Sequence, residues 1–194
     1  MIMEMEEYRK NLVEFIENEI NKKEYLECFK KDIWTKCAQF GILSQNVGQE
    51  YGGLDFDFIV HMMITETLGY ACNDSGFVFA LNNHLWPCQY IISKFGNKEV
   101  KEQYLPKMIK GELIGAFAMT ESNAGSDIHN LNTTVSEKDD VYILSGKKSY
   151  ISNGSIADLF LVVAKDINDS FGRSCILIVN KATKGLRISE PIDK

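Results

Sequence analysis

The stretch of sequence that decides the fold reads GAFAMTESNAGSD and spans Gly115 to Asp127. Its first six residues alternate in character and predict a short β-strand over residues 115–120. The polar residues that follow favour a turn and expose backbone N–H groups. Within that turn, Gly125 lets the backbone approach a ligand closely and Ser126 offers a hydroxyl donor, which suits an anionic pyrophosphate. A polar loop that closes a surface hairpin would have the same composition, so this stretch alone leaves both interpretations open.

A second motif lies downstream and reads YILSGKKSYISNG, from Tyr142 to Gly154. It predicts a strand, a Ser-Gly turn and a second strand that ends in Asn-Gly. The pair GAFAMTESNAGSD and KKSYISNG, in this order and spacing, resembles the flavin-binding signature of the acyl-CoA dehydrogenases. The usual forms of that signature are GAF-(aliphatic)-TEPGAGSD and K-x-(aromatic)-I-TNG. Two upstream segments, EYGG at 50–53 and FGNKEVKEQYLPKMIKGELIG at 95–115, are also similar to this family, so the resemblance covers nearly the whole chain.

The resemblance implies an FAD site made of three groups of residues: one along the flavin, one at the pyrophosphate and one over the other side of the ring. In that order, the groups are Phe117, Ala118, Met119 and Thr120; Gly125 and Ser126; and Tyr150, Ile151 and Ser152. By the same resemblance, Thr120 would bond the flavin ring, and Ser126 would also bind the thioester substrate.

The sequence departs from the usual signature at three places. Tyr150 replaces tryptophan and keeps an aromatic face, and Ser152 replaces threonine and keeps the hydroxyl. We expect flavin binding to survive both changes. Ser122 and Asn123 replace Pro-Gly, so the turn loses a fixed φ and a glycine, although asparagine tolerates positive φ better than most residues.

The family chemistry is α,β-dehydrogenation, in which a base removes the α-proton of an acyl thioester while a hydride passes from Cβ to the flavin. We therefore expect an oxidoreductase that acts on an acyl thioester of CoA or of a carrier protein, since both carriers present the same pantetheine arm. The catalytic base stays unassigned. Glu121 is a carboxylate within the motif, but in the family the base comes from a carboxyl-terminal bundle, and a glutamate beside a loop of donors can equally orient the backbone. Two alternatives remain open: a non-catalytic or partner-completed flavin-binding subunit, and a flavin monooxygenase of the same fold.

The spacing of apolar residues predicts an α+β fold, with an all-α helical domain over residues 1–113 and a partial β-barrel domain of antiparallel strands over residues 114–194. The predicted helices cover 4–40 in two pieces separated near Asn21–Lys23, 55–72 as a core helix that is apolar all round, 77–95 with a kink at Pro87, and a last helix from the cap Asn97 to Gly111. The predicted strands are 115–120, 131–136, 141–145, 147–151, 158–164, 174–180 and 186–189, with Ser136–Asp140 among the turns. The resemblance implies that the closing barrel strands and the carboxyl-terminal helical bundle are absent. We therefore expect this chain by itself to lack the base and to associate as a homo-oligomer or with a completing partner chain.

Composition restricts the remaining function classes. The net charge is −6 and the lysines are scattered, which argues against nucleic acid as a partner. No apolar run reaches membrane-spanning length and the amino terminus does not resemble a signal peptide, so we expect a cytoplasmic location. The five cysteines, at positions 28, 37, 72, 88 and 175, lack metal-site or disulfide spacing and are predicted to be buried free thiols. His61, His84 and His129 show no metal or triad spacing and are interpreted as structural or surface residues. Asp127 is predicted to cap the turn after Ser126.

Overall fold

The computed structural model of the chain describes residues 2–22, 29–139 and 141–192. The chain divides into two compact units, Met1–Leu113 and Ile114–Lys194. The first unit is helical and the second is built on a β-sheet, which confirms the predicted α+β class.

The first unit contains six α-helices within its described residues. They are α1 (Ile2–Phe15), α2 (Lys31–Phe40), α3 (Phe58–Ala71), α4 (Ser75–His84), α5 (Ile91–Phe95) and α6 (Lys98–Ile109). Two π-helical segments, Ile16–Ile20 and Leu85–Tyr90, extend α1 and join α4 to α5. The second of these contains Pro87, where the sequence predicts a kink. Lys23 and Cys28 lie outside the described residues.

Helix boundaries in this unit follow local chemistry. Gly41 takes a left-handed φ of 100° after α2, and its amide donates to the Ala38 carbonyl at 3.1 Å. Asn97 caps α6, because its side-chain oxygen accepts a hydrogen bond from the Val100 amide at 2.8 Å. The predicted start of α6 at Asn97 is therefore confirmed.

Helix α3 differs from its prediction as an all-round core helix. Ile64 and Leu68 are buried, but Phe58 and Ile59 on another side are 65% and 70% exposed. The apolar composition of the helix is uniform, and only one of its sides packs against the rest of the described chain. A uniform composition cannot indicate which side is covered, so the sequence overstated the burial.

The predictions for individual cysteines have mixed outcomes across the chain. Cys37 and Cys88 are buried free thiols as predicted, whereas Cys72 and Cys175 are only half-buried. His84 is fully buried with its ring edge-on to Trp34, at a centroid distance of 5.2 Å. None of the helices among the described residues has both the length and the apolar character needed to cross a bilayer.

The second unit is one mixed sheet of five strands within its described residues. They are β1 (Gly115–Ala118), β2 (Thr134–Lys138), β3 (Val141–Ser145), β4 (Leu159–Asp166) and β5 (Ser174–Asn180). Strand β4 is central: β5 pairs with it in antiparallel fashion, while β1 and β2 pair with it in parallel. Strand β3 forms an antiparallel pair with β2.

Several strand predictions need correction. The sheet is mixed, not antiparallel throughout, because long connections bring β1 and β2 alongside β4 in the same direction. Residues 147–151 and 186–189 are irregular, and the first strand ends at Ala118. Strand β2 runs on to Lys138, so the predicted turn at Ser136–Asp140 begins later; Asp140 itself lies outside the described residues.

Candidate functional site

The two sequence motifs lie side by side in the second unit. The Ser149 amide donates to the Thr120 carbonyl at 2.9 Å, just past the end of β1. At the other end of the strand, the Asn153 side-chain amide donates to the Gly115 carbonyl at 3.2 Å. Residues 149–153 therefore run alongside β1 in the opposite direction. This juxtaposition brings together Thr120 and the predicted group Tyr150, Ile151 and Ser152.

A buried ion pair joins the same two motifs. Lys148 Nζ donates to Glu121 Oε1 at 2.9 Å and to the Met119 carbonyl at 2.8 Å. The side chains of Lys148 and Glu121 are only 9% and 2% exposed. Water and salt screen the attraction between exposed charges strongly. Because Lys148 and Glu121 are buried, their electrostatic attraction is stronger than that of a surface ion pair.

The Glu121 carboxylate organises the turn around it. The Asn132 amide donates to Oε2 at 2.7 Å and the Thr133 amide donates to Oε1 at 2.9 Å. Burial by itself raises the pKa of Glu121, but hydrogen bonding from Thr133, Asn132 and Lys148 outweighs it and lowers the pKa to about 2. A carboxylate held by these donors is a poor proton acceptor, so its geometry favours the backbone-orienting interpretation over the catalytic one.

The turn that follows Glu121 is short and closed. The Glu121 amide donates to the Ala124 carbonyl at 2.9 Å, and the Ala124 amide donates back at 3.2 Å. Ser122 and Asn123 form its exposed tip, so the chain makes this turn without the usual Pro-Gly. Beyond it, Asp127 precedes a 3₁₀ turn, but its side chain makes no capping hydrogen bond, so the predicted cap is wrong.

The side chains of β1 are divided between two cores. Ala118 is buried with Ala116 in one cluster, against which Ile151 packs. Phe117 and Met119 pack on the other cluster, beside Val163. The alternation of a strand explains this division, since successive side chains point to opposite faces. Ala118 is buried within the strand, and Thr120, just past the strand, is half-buried.

Tyr150 has an unusual backbone conformation. Its φ is 58° and its side chain is 69% exposed. A bulky residue rarely adopts positive φ, and the cost is of order 1–3 kcal/mol. On either side of Tyr150, Ser149 is hydrogen-bonded to Thr120 and Asn153 is hydrogen-bonded to Gly115.

These residues fit a flavin dinucleotide by the chemistry of their donors. Hydroxyl groups stand at Thr120 and Ser152, both half-buried, and at Ser126, which is exposed. A Cβ atom added at Gly125 would meet no atom within 4 Å, so a ligand can approach the backbone there. The exposed ring of Tyr150 offers an aromatic face.

Sequence reasoning missed two residues of this arrangement. Lys148 supplies the cation of the buried pair, and Asn153 anchors the segment to β1. Lys148 belongs to the quoted motif, so its spacing from Tyr150 can be read from the sequence. Its burial cannot be predicted in this way, because lysine is almost always exposed.

Comparison with known proteins identifies the family of both units. Residues 3–112 match the family model for the acyl-CoA dehydrogenase N-terminal domain, and residues 116–194 match the model for the middle domain. The chain belongs to the acyl-CoA dehydrogenase family. The earlier resemblance is therefore confirmed.

Named relatives include two enzymes that act on a carrier protein. The chain is 38% identical to the L-prolyl-[peptidyl-carrier protein] dehydrogenase of Serratia sp. over 84% of its own length and 42% of the relative. It is 36% identical to the enzyme of the same name from Pseudomonas fluorescens, over 88% of the chain and 46% of the relative. The mitochondrial isovaleryl-CoA dehydrogenase of Pongo abelii is 34% identical over 84% of the chain and 39% of the relative. The chain thus spans less than half the length of these acyl-CoA dehydrogenase relatives.

Solved structures of the acyl-CoA dehydrogenase family have the same fold as this chain. The prolyl acyl carrier protein oxidase AnaB superposes with a TM-score of 0.92 at 38% identity, over 98% of the chain and 52% of AnaB. The FAD complex of PigA superposes with a TM-score of 0.92 at 31% identity, over 98% of the chain and 51% of PigA.

Proposed function

We propose that the complete protein is an FAD-dependent dehydrogenase of acyl thioesters and that its substrate is an L-prolyl group held on a carrier protein. The observation that carries the proposal is the hydrogen bond from Ser149 to Thr120, which joins the two flavin-motif segments. In this proposal residues 1–113 are the helical domain and residues 114–194 form part of the β-barrel domain.

Bound FAD would supply the acceptor for the two electrons that leave the substrate. The hydroxyls of Thr120 and Ser152 would donate hydrogen bonds to its ring, and Ile151 packs the same segment against the core. The exposed Tyr150 ring would offer an aromatic face to the flavin. The backbone of Phe117, Ala118 and Met119 would run along the ring, as the family resemblance implies. Gly125 and Ser126 would hold the pyrophosphate, and Ser126 would also bind the thioester.

The names of the relatives support the proposed substrate class. Two of them are named for a prolyl group on a carrier protein, at 38% and 36% identity, and a third is named for isovaleryl-CoA at 34%. A carrier protein and CoA present the same pantetheine arm, so the prolyl ring and the carrier surface are what distinguish these substrates. No residue of this chain is proposed as the base, because Glu121 is held by Lys148 and two backbone amides. We also propose self-association or a completing partner chain.

Anaerobic rapid mixing tests the proposal. The complete protein, loaded with FAD, is mixed with an L-prolyl carrier protein, with isovaleryl-CoA and with the carrier protein alone. We expect bleaching of the flavin band at about 450 nm with the prolyl carrier protein. Its second-order rate constant should exceed that for isovaleryl-CoA by at least ~10-fold.

Each other outcome assigns a different function. Faster bleaching with isovaleryl-CoA would contradict the proposed prolyl substrate but would still support FAD-dependent dehydrogenation of a thioester. Bleaching only by a flavin reductase, followed by rapid reaction with oxygen, would support the monooxygenase. Failure of the complete protein to bind FAD would support a non-catalytic subunit.

A further inference from the structure

Three chain segments meet at one buried carboxylate in the second unit. Glu121 follows β1, its oxygens accept the amides of Asn132 and Thr133 just before β2, and Lys148 approaches it from the second motif. Lys148 also bonds the carbonyl of Met119, so its ammonium group lies between β1 and the turn. The ion pair therefore connects both flavin-motif segments to the start of the next strand.

The members of the pair are close in sequence to the residues proposed to contact flavin. Glu121 directly follows Thr120, and Lys148 is two residues before Tyr150 and four before Ser152. A displacement of the backbone segment 148–152 relative to Glu121 would therefore change the separation of the Thr120 and Ser152 hydroxyls. Two donors that act on one ring system depend on such a fixed separation.

An ion pair in this position is not explained by stability alone. Removing a lysine and a carboxylate from water is costly, and a pair of apolar residues of similar volume is often equally stable or more stable. Apolar side chains, however, would not fix the position of the segment that carries Lys148 relative to the turn. The Lys148 ammonium has two oxygen partners at defined positions, which restrict the segment to one register.

We propose that Lys148 and Glu121 are positioning residues of the flavin site, which hold the segment 148–153 in register against β1 and the turn. This proposal rests on the proposed function. The pair keeps Tyr150 at positive φ and keeps the Ser152 hydroxyl at its distance from Thr120. Without the pair, residues 148–152 would relax towards ordinary backbone conformations, and the two walls of the site would lose their alignment.

The test is FAD affinity and the visible spectrum of the bound flavin, both measured on the complete protein after removal and return of FAD. Lys148→Met keeps the length of the side chain and removes its charge. We expect the dissociation constant for FAD to rise by ~10- to 100-fold and the visible circular dichroism of the bound flavin to change. Lys148→Arg keeps the charge and should recover most of both properties. Lys147→Met, at the exposed neighbouring position, is the matched control and should leave both unchanged.

A double variant separates positioning from stability. Glu121→Gln combined with Lys148→Met leaves no unpaired buried charge, so its thermal stability should return towards that of the wild type. Its FAD affinity should remain reduced. If the double variant regains wild-type FAD affinity, or if Lys148→Met never loses it, the pair does not position the site. If the wild-type protein fails to bind FAD, the proposed function itself is wrong, which is a different result.

Discussion

Ser152 and Thr120 bring hydroxyl groups to two segments that are hydrogen-bonded to each other. Ser152 lies in a turn in which the Gly154 amide donates to the Ile151 carbonyl at 3.0 Å. A donor held in this way costs little reorganisation when charge develops on a ring that it faces. Serine at this position keeps the hydroxyl of the threonine usual in the family, and it loses only a methyl group.

Replacing Ser152 should slow flavin reduction more than it weakens FAD binding. Ser152→Ala removes a donor that matters most when charge accumulates on the ring, so we expect the rate of reduction to fall by on the order of 10²-fold. The FAD dissociation constant should change by less than ~10-fold. Rapid mixing with the preferred thioester gives the rate, and Ser155→Ala, at an exposed residue of the same turn, is the control. An unaltered rate of flavin reduction in Ser152→Ala would show that this hydroxyl does not donate to the flavin ring.

The sequence allowed some of these residue-scale features to be predicted and concealed others. The hydroxyls are visible because their chemistry is local to the motif. The burial of Lys148 is not visible, because it depends on the folding of Glu121, Asn132 and Thr133 around one point. Long-range hydrogen bonds of this type leave no periodic pattern in the sequence.

At the scale of elements, the loop EYGG illustrates a backbone constraint. Gly53 packs directly on the chain at Val47, where a Cβ atom would lie only 1.9 Å from the Val47 carbonyl oxygen. The Gly53 amide donates to the Gly48 carbonyl at 3.1 Å, which fixes this approach. Gly69 lies on the exposed side of α3, and a Cβ atom added there would meet no neighbouring atom within 4 Å.

These two glycines should respond oppositely to alanine. Gly53→Ala forces the loop away from Val47, and we expect the free energy of unfolding to fall by about 2 kcal/mol or more. Gly69→Ala reduces the entropy of the unfolded chain within a helix, and the free energy should rise by about 0.5–1 kcal/mol. Urea unfolding followed by circular dichroism measures both. Equal effects of the two substitutions would contradict the packing described for Gly53.

The elements themselves were predictable to different degrees. Helix α6, which has a clear cap, follows its predicted course. Helix α2 ends before Gly41 as predicted but begins only at Lys31, because Lys30 is extended, so the predicted helix across Phe29 is wrong. The sequence predicts a strand over 147–151, but Tyr150 takes a positive φ, and the Ser149 amide bonds to the Thr120 carbonyl beyond the end of β1. Residues 186–189 alternate, yet the Leu186 amide closes a turn onto Thr183, and no strand forms there.

At the scale of the whole molecule, two buried groups make stability depend on pH. Burial lowers the pKa of His84 from 6.5 to about 3, although hydrogen bonding to the Met108 backbone opposes the shift. Burial also lowers the pKa of His61, partly offset by its hydrogen bond to the Phe56 carbonyl. Both rings therefore stay neutral in the folded protein at a pH where the unfolded chain would protonate them. The sequence indicated that these histidines are structural, but the depth of their burial depends on the packing of several helices.

The acid side of the stability curve should therefore have two windows. As pH falls below 6.5, the unfolded state binds protons that His84 in the folded state does not, so stability decreases by up to about 1.4 kcal/mol per pH unit until the pKa of about 3 is reached. Glu121 has the opposite charge but acts in the same direction: its lowered pKa contributes stability above 4.5, which is lost as pH falls towards about 2. Between pH 6.5 and 4.5, the histidines therefore contribute to the pH dependence of stability and Glu121 does not.

Substitution of His84 isolates the first window. In His84→Gln the absolute stability falls because the core is altered, but the slope of the unfolding free energy against pH between 6.5 and 4.5 should become shallower by roughly one proton, about 1.4 kcal/mol per pH unit. Urea unfolding at a series of pH values measures this slope. His129→Gln, in the exposed 3₁₀ turn, is the matched control and should retain the wild-type slope. If His84→Gln and the wild type lose stability in parallel over this range, other groups dominate the acid response. His84 would then remain a packing residue with no influence on the pH dependence of folding.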